Sequence, residues 1–294
     1  MHLTLVQQAL DQPGVPGPVL RAGRRHEDAL LLGSILPDLP FHARFFNQLA
    51  RHLSGRKYLH SHWGHVVHTR RTGRFALALL AHLDREHPSP DDAERLLAMT
   101  AGYICHHAVD RLGHPEVQAL VGRRLEPGQP HIVLHSRIER YQSLLYHLDL
   151  MGYEIPGTPF PRQLTARVAG ASLGRARLED LLWEAVRSTY LETHGHTPSR
   201  KEVDDWIWGT TAYGALFSST MGRRERLERP ADEIRERWYR GDTVDLETCL
   251  HRALELTARG WQAAVELLQA PRITADVRET FLQAVPDIDL ETGY

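Results

Sequence analysis

Between Ser89 and Pro115 the chain writes an apolar helix that carries more ionisable groups than a core accepts without partners. Ser89-Pro90-Asp91-Asp92 supplies a cap with proline at the first helical position, and Leu96, Leu97, Ile104 and Ala108 follow at helical spacing. Gly113 and Pro115 predict the helix's end. Within it lie His106, His107 and Asp110, and His114 is expected where the chain turns. Charged groups taken out of water must be paired or bound to a metal. The chain therefore needs a fold whose helical core is built around a polar centre.

The remaining pattern is helical almost throughout. A Pro/Gly loop from Glu126 to Pro130 precedes a helix expected from His131 to Met151, with Gly152 as its stop. Ser199-x-x-Glu202 is a capping box that opens a long helix through Trp206 and Phe217. Further helices are predicted near 3–11, 26–34, 72–86, 176–193, 230–239, 244–269 and 275–284. Alternating strand-like runs and repeat periods are absent. The expected fold class is all-α, a multi-helix bundle. Residues 1–152 form a histidine-rich metal-binding half, and residues 153–294 a helical remainder packed as part of the same domain. The Pro- and Gly-rich stretch 153–175 reads as a linker or an active-site loop.

A formal net charge of -2 leaves no footprint for an extended nucleic-acid surface or a polybasic membrane anchor. No run reaches the roughly 20 apolar residues of a membrane span, so no transmembrane segment is expected. The start MHLTLVQQALDQPG shows no signal peptide, and the expected location is cytoplasmic. Cys105 and Cys249 make no disulfide framework, and Cys105 reads as a buried inert thiol. Histidine is the unusual residue: of 19, only His194, His196 and His251 fall after residue 150. Chemistry is therefore expected in the first half.

Residues four apart on a helix share a face. His106 and Asp110 meet that condition, and so do His135 and Glu139, with His131 one turn earlier as a competing ligand. Each pair offers a metal an imidazole nitrogen and a carboxylate oxygen, both of which zinc accepts. His82 and Glu86 have the same spacing, but their polar helix end reads as solvated. LPDLP places Asp38 in a proline-framed loop, as a turn residue or a ligand. YLHSHWGHVVH adds His60, His62, His65 and His68, of which one or two are expected as ligands and the rest as support or surface.

Taken in order, these pieces resemble the zinc-dependent phospholipase C family, whose fold is shared with the single-strand-specific zinc nucleases. The matching elements are His2 in HLTLVQQAL, Asp38 in LPDLP, His62 in SHWG, His106 with Asp110, His114, and His135 with Glu139. The resemblance spans about residues 1–150. It implies two or three zinc ions in a cleft: Asp38, His62, His106 and Asp110 on the first, and His114, His135 and Glu139 on the second. His2 and the chain's own α-amine would hold the third, with Asp110 bridging. The family's third site uses an N-terminal tryptophan several residues before the histidine, whereas here only Met1 precedes His2.

The implied reaction is phosphate-ester hydrolysis by a metal-activated water, with Asp38 as the catalytic base that orients and deprotonates it. His107 and His65 are expected to fix ligand tautomers from behind. A phosphoester small molecule or a phospholipid head group is the expected partner; nucleic acid is possible but not indicated. FHARFFNQLARHLSGRK, directly after Asp38, reads as an amphipathic helix with its aromatics in the core or as a stacking or lipid-facing surface. A His-Asp phosphohydrolase needs an adjacent His-Asp pair, which the chain lacks. The non-enzymatic alternative is a metal-binding or structural helical protein that retains the fold.

Overall fold

The computed structural model describes residues 1–54, 61–86, 88–124, 131–168, 180–238 and 246–293. Among these are fourteen α-helices and no strand. In chain order they are α1 (His2–Leu10), α2 (Gly17–Arg25), α3 (Glu27–Ser34), α4 (Phe45–Leu53), α5 (His62–Thr69), α6 (Thr72–Glu86) and α7 (Pro90–Arg124). Then follow α8 (His131–Met151), α9 (Phe160–Ala166), α10 (Asp180–His194), α11 (Arg200–Phe217), α12 (Ala231–Trp238), α13 (Leu246–Gln269) and α14 (Ala275–Ala284). No helix is long and apolar enough to cross a membrane.

Helix α7 is the axis. Every residue from Leu96 to Asp110 is buried, so this stretch has no solvent face and other helices surround it. Helices α2, α3, α6 and α13 pack along it, with α1 and α8 toward its histidine-bearing end. The start follows the sequence signals: the Asp92 N–H donates to Ser89 Oγ at 3.2 Å. The end does not. The helix runs through Gly113 and Pro115 to Arg124. Proline removes one N–H from the ladder, which is a local cost that surrounding packing can outweigh. Val117, Leu120 and Val121 beyond it join a second apolar cluster with Leu134, Ile138 and Leu145 of α8. The consequence for function is direct: His114 lies on the helix, in line with His106 and Asp110.

Close backbone approach fixes α3 against α7. A side chain added at Gly102 would meet Ser34 N at 2.6 Å and Gly33 C at 2.9 Å. Gly102→Ala is therefore expected to destabilise the protein by about 1–3 kcal/mol, measured by urea unfolding, because neither backbone can yield easily. On the opposite side Trp261 of α13 donates Nε1–H to Ala101 O at 2.9 Å. The main apolar cluster draws on both halves of the chain, from Leu5 and Leu30 to Val203, Trp206 and Phe281. The stretch read as a linker contributes as well, because Leu164 of α9 and the following Val168 belong to the same cluster.

Candidate metal centre

Three segments converge at one stretch of α7. His2 opens α1, Asp38 precedes a 3-10 turn over Leu39–His42, and His68 ends α5. Asp110 is the hub. Its Oδ2 lies 2.9 Å from His106 Nε2 and 3.6 Å from His68 Nε2. Its Oδ1 lies 3.3 Å from His2 Nε2 and 3.9 Å from His114 Nε2. Asp38 closes the group, with Oδ1 3.3 Å from His68 Nε2 and Oδ2 3.9 Å from His2 Nε2. Beside it, His114 Nε2 and His135 Nε2 lie 3.0 and 3.3 Å from Glu139 Oε1.

The ring tautomers show what this arrangement can hold. His106 Nδ1 has the Ser34 carbonyl as partner at 3.0 Å, His68 Nδ1 has the Gly64 carbonyl at 2.7 Å, and His114 Nδ1 has the Leu290 carbonyl. A carbonyl only accepts, so each Nδ1 carries the proton. In the neutral ring the Nε2 lone pair then points at the carboxylates. Metal-binding histidines are oriented in this way by carbonyls or carboxylates behind them. His2 Nδ1 is buried without a hydrogen-bond partner. Among the described residues three sets of ligand atoms lie within 4.8 Å of one another: His2, His106 and Asp110; Asp38, His68 and His106; and His114, His135 and Glu139. Mixed imidazole and carboxylate sets of this kind suit zinc.

Without metal the centre is a strongly coupled ion network. Burial pulls the His106 and His114 pKa values down, but Asp110 with Asp38 or Glu139 outweighs it and pushes them up to about 9 and about 10. Burial raises Glu139, yet His114 and His135 hold it at about 2. Asp38 and Asp110 are likewise held below the ordinary carboxylate range, by His106 and its neighbours against burial. His107 behaves oppositely: burial lowers it to about 4.

These shifts set the pH response of the metal-free protein. The raised histidines stabilise it fully below their unfolded value of 6.5, and that contribution is lost as pH rises toward 9–10. The lowered His107 stabilises it above 6.5, and that contribution is lost as pH falls toward 4. Metal-free protein should accordingly resist urea best near neutral pH and weaken at both about pH 5 and about pH 9.

Several residues sit elsewhere than the sequence suggested. His62 lies outside the cluster, exposed at the first turn of α5, with Nε2 3.4 Å from His196 Nε2. His68, six residues on and buried, takes the place expected for His62. His107 donates to the Pro286 carbonyl at 2.9 Å and His65 pairs with Glu291 at 2.8 Å. His131 is exposed and does not join the His114–Glu139 set. His82 is buried against Ser188 Oγ at 3.1 Å rather than solvated. His60 lies outside the described residues. The thiol of Cys105 is buried and pushed up to about 12, as an inert core cysteine should be. Of the aromatics after Asp38, Phe45 is buried, whereas Phe41 and Phe46 are exposed.

The family model described as zinc-dependent phospholipase C matches residues 1–214, which takes in every ligand set above. The chain belongs to the zinc-dependent phospholipase C family. A search of curated proteins and a search of solved structures returned no match. Membership of this zinc-dependent phospholipase family agrees with the all-α architecture and with the presence of imidazole–carboxylate groups that could hold a metal. The matched region ends within α11, so α12, α13, α14 and the final segment lie beyond it.

Proposed function

We propose that the protein is a phospholipase C-like phosphodiesterase working with two or three zinc ions. The observation that carries this reading is the set of three imidazoles turned by backbone carbonyls onto Asp38, Asp110 and Glu139. Asp38, His68, His106 and Asp110 would hold one ion, and His114, His135 and Glu139 a second. His2, with Asp110 beside it, offers a position for a third. The α-amine donates to Ser143 Oγ at 3.3 Å. Bound zinc supplies a water of lowered pKa and neutralises charge on the phosphate oxygens.

The chain's own groups divide the remaining work. The Asp38 side chain is 31% exposed and that of Asp110 only 3%, so Asp38 is the carboxylate of the first cluster that a substrate-side water can reach. Its Oδ oxygens orient that water and accept its proton. Asp110, sealed among four histidines, holds its charge in place and bridges the two sets. His68, His106 and Asp110 are themselves buried, which keeps bulk water away and strengthens each electrostatic contact.

Phe41 forms one wall. Its ring centroid lies 5.5 Å from that of His68, and it is 45% exposed. The ring packs where Gly64 has no side chain: an added Cβ would meet it at 2.7 Å. Phe41→Ala is expected to raise KM for a lipid-like phosphodiester several-fold while leaving zinc content unchanged, measured by steady-state kinetics beside metal analysis. The broader reading is tested on zinc-loaded protein with a panel of phospholipids, soluble phosphodiesters, phosphomonoesters and single-stranded nucleic acid. Hydrolysis of a phosphodiester at the bond that releases a phosphorylated head group is the expected result. A zinc-loaded protein inert to the whole panel points instead to a metal-binding protein that kept the fold.

A further inference from the structure

The segment that follows α14 lies beyond the family match and returns to the metal centre. Thr72 Oγ1 donates to Ile288 O at 2.8 Å and accepts from Ile288 N–H at 3.0 Å. Gln118 Nε2 donates to Glu291 O at 2.9 Å, and Pro286 O accepts from His107. A side chain on Gly293 would strike the Pro115 ring, so the backbone there sits directly on α7. Leu290 is fully buried, and both its main-chain groups are engaged. Its N–H donates to the His68 carbonyl at 2.7 Å, and its C=O accepts from His114 Nδ1.

We propose that the Leu290 carbonyl is a positioning group for the His114 metal ligand, so that the C-terminal segment is a working part of the metal centre. The inference rests on the zinc reading of the His114, His135 and Glu139 set. Ser34 and Gly64 provide the same service for His106 and His68 from inside the matched region. For His114 the acceptor arrives from 176 residues away in sequence. With Nδ1–H held on Leu290 O, the ring is left with its Nε2 lone pair on the Glu139 side. Without it, the ring is free to swap tautomers or rotate, and the second set loses a preorganised ligand. Because the same residue clamps the His68 backbone, segment and centre are tied through one amide on each side.

Two measurements test this. In the zinc-loaded full-length protein, nitrogen–proton NMR of the histidine rings should show His114 protonated at Nδ1, slow to exchange, with metal at Nε2. Metal at Nδ1, or a rapidly exchanging Nδ1 proton, overturns the proposal without recourse to a variant. The second compares deletion of residues 290–294 with deletion of residues 292–294, which keeps Leu290 and its carbonyl. The longer deletion should weaken binding of one zinc equivalent about 10–100-fold and alter one set of visible bands in the cobalt-substituted protein. The shorter deletion should load zinc like the parent, even if it unfolds more readily. Equal zinc loss in both variants, or none in the longer deletion, makes the segment a packing element only. Parent protein that binds no zinc sinks the zinc reading itself, whereas zinc-binding parent with an indifferent longer deletion sinks this proposal alone.

Discussion

Asp110→Asn is expected to abolish phosphodiesterase activity and to cost more zinc affinity than any other single replacement. One carboxylate faces His2, His68, His106 and His114 at once, between 2.9 and 3.9 Å. Asparagine keeps the volume and removes the charge, so a loaded site would carry excess positive charge with no sealed anion beside it. Outer partners of metal ligands typically cost about 10–100-fold, and the shared ligand itself should exceed about 100-fold. Competition with a colorimetric chelator measures the affinity, and residual hydrolysis gives the activity. Helical content should stay near parent at neutral pH, because α7 is anchored elsewhere by Gly102 and by the Trp261 bond to Ala101. A variant that retains zinc within about tenfold removes Asp110 from its central role.

The second large effect is a contrast between two histidines of α5. His68→Ala should lose zinc from the first set and with it nearly all activity, since His68 Nε2 faces both Asp38 and Asp110. His62→Ala should bind zinc like the parent, because His62 meets His196 at the surface instead. The pair of variants separates the two assignments cleanly. Zinc loss from the His62 variant with retention in the His68 variant would restore the sequence-based choice.

That contrast also shows how much of the site was legible beforehand. The motif of a histidine before an aromatic drew attention to His62-Trp63, yet Ser61 caps α5 and places His62 in the first, solvent-facing turn. The useful signal was burial: His68 follows Val66 and Val67, and all three lie on the inward side. Pairs on one helix, His106 with Asp110 and His135 with Glu139, were readable because spacing of four residues fixes relative position. The placement of His114 on the helix was not readable, since Gly113 and Pro115 predict an end to a helix that packing carries on to Arg124. Helix identity was clear where caps and periodicity agreed, as at Ser89 and at Ser199, whose capping box forms as expected. Leu290 left no trace of its role, because a main-chain carbonyl gives no side-chain signature.

The most direct test strips the protein with a chelator and returns zinc stepwise while hydrolysis of a phosphodiester is followed in the same sample. The account predicts no turnover from stripped protein, and activity that appears only as the second equivalent binds, once both sets are filled. Stripped protein, shown free of metal, that hydrolyses the substrate at the original rate would contradict it.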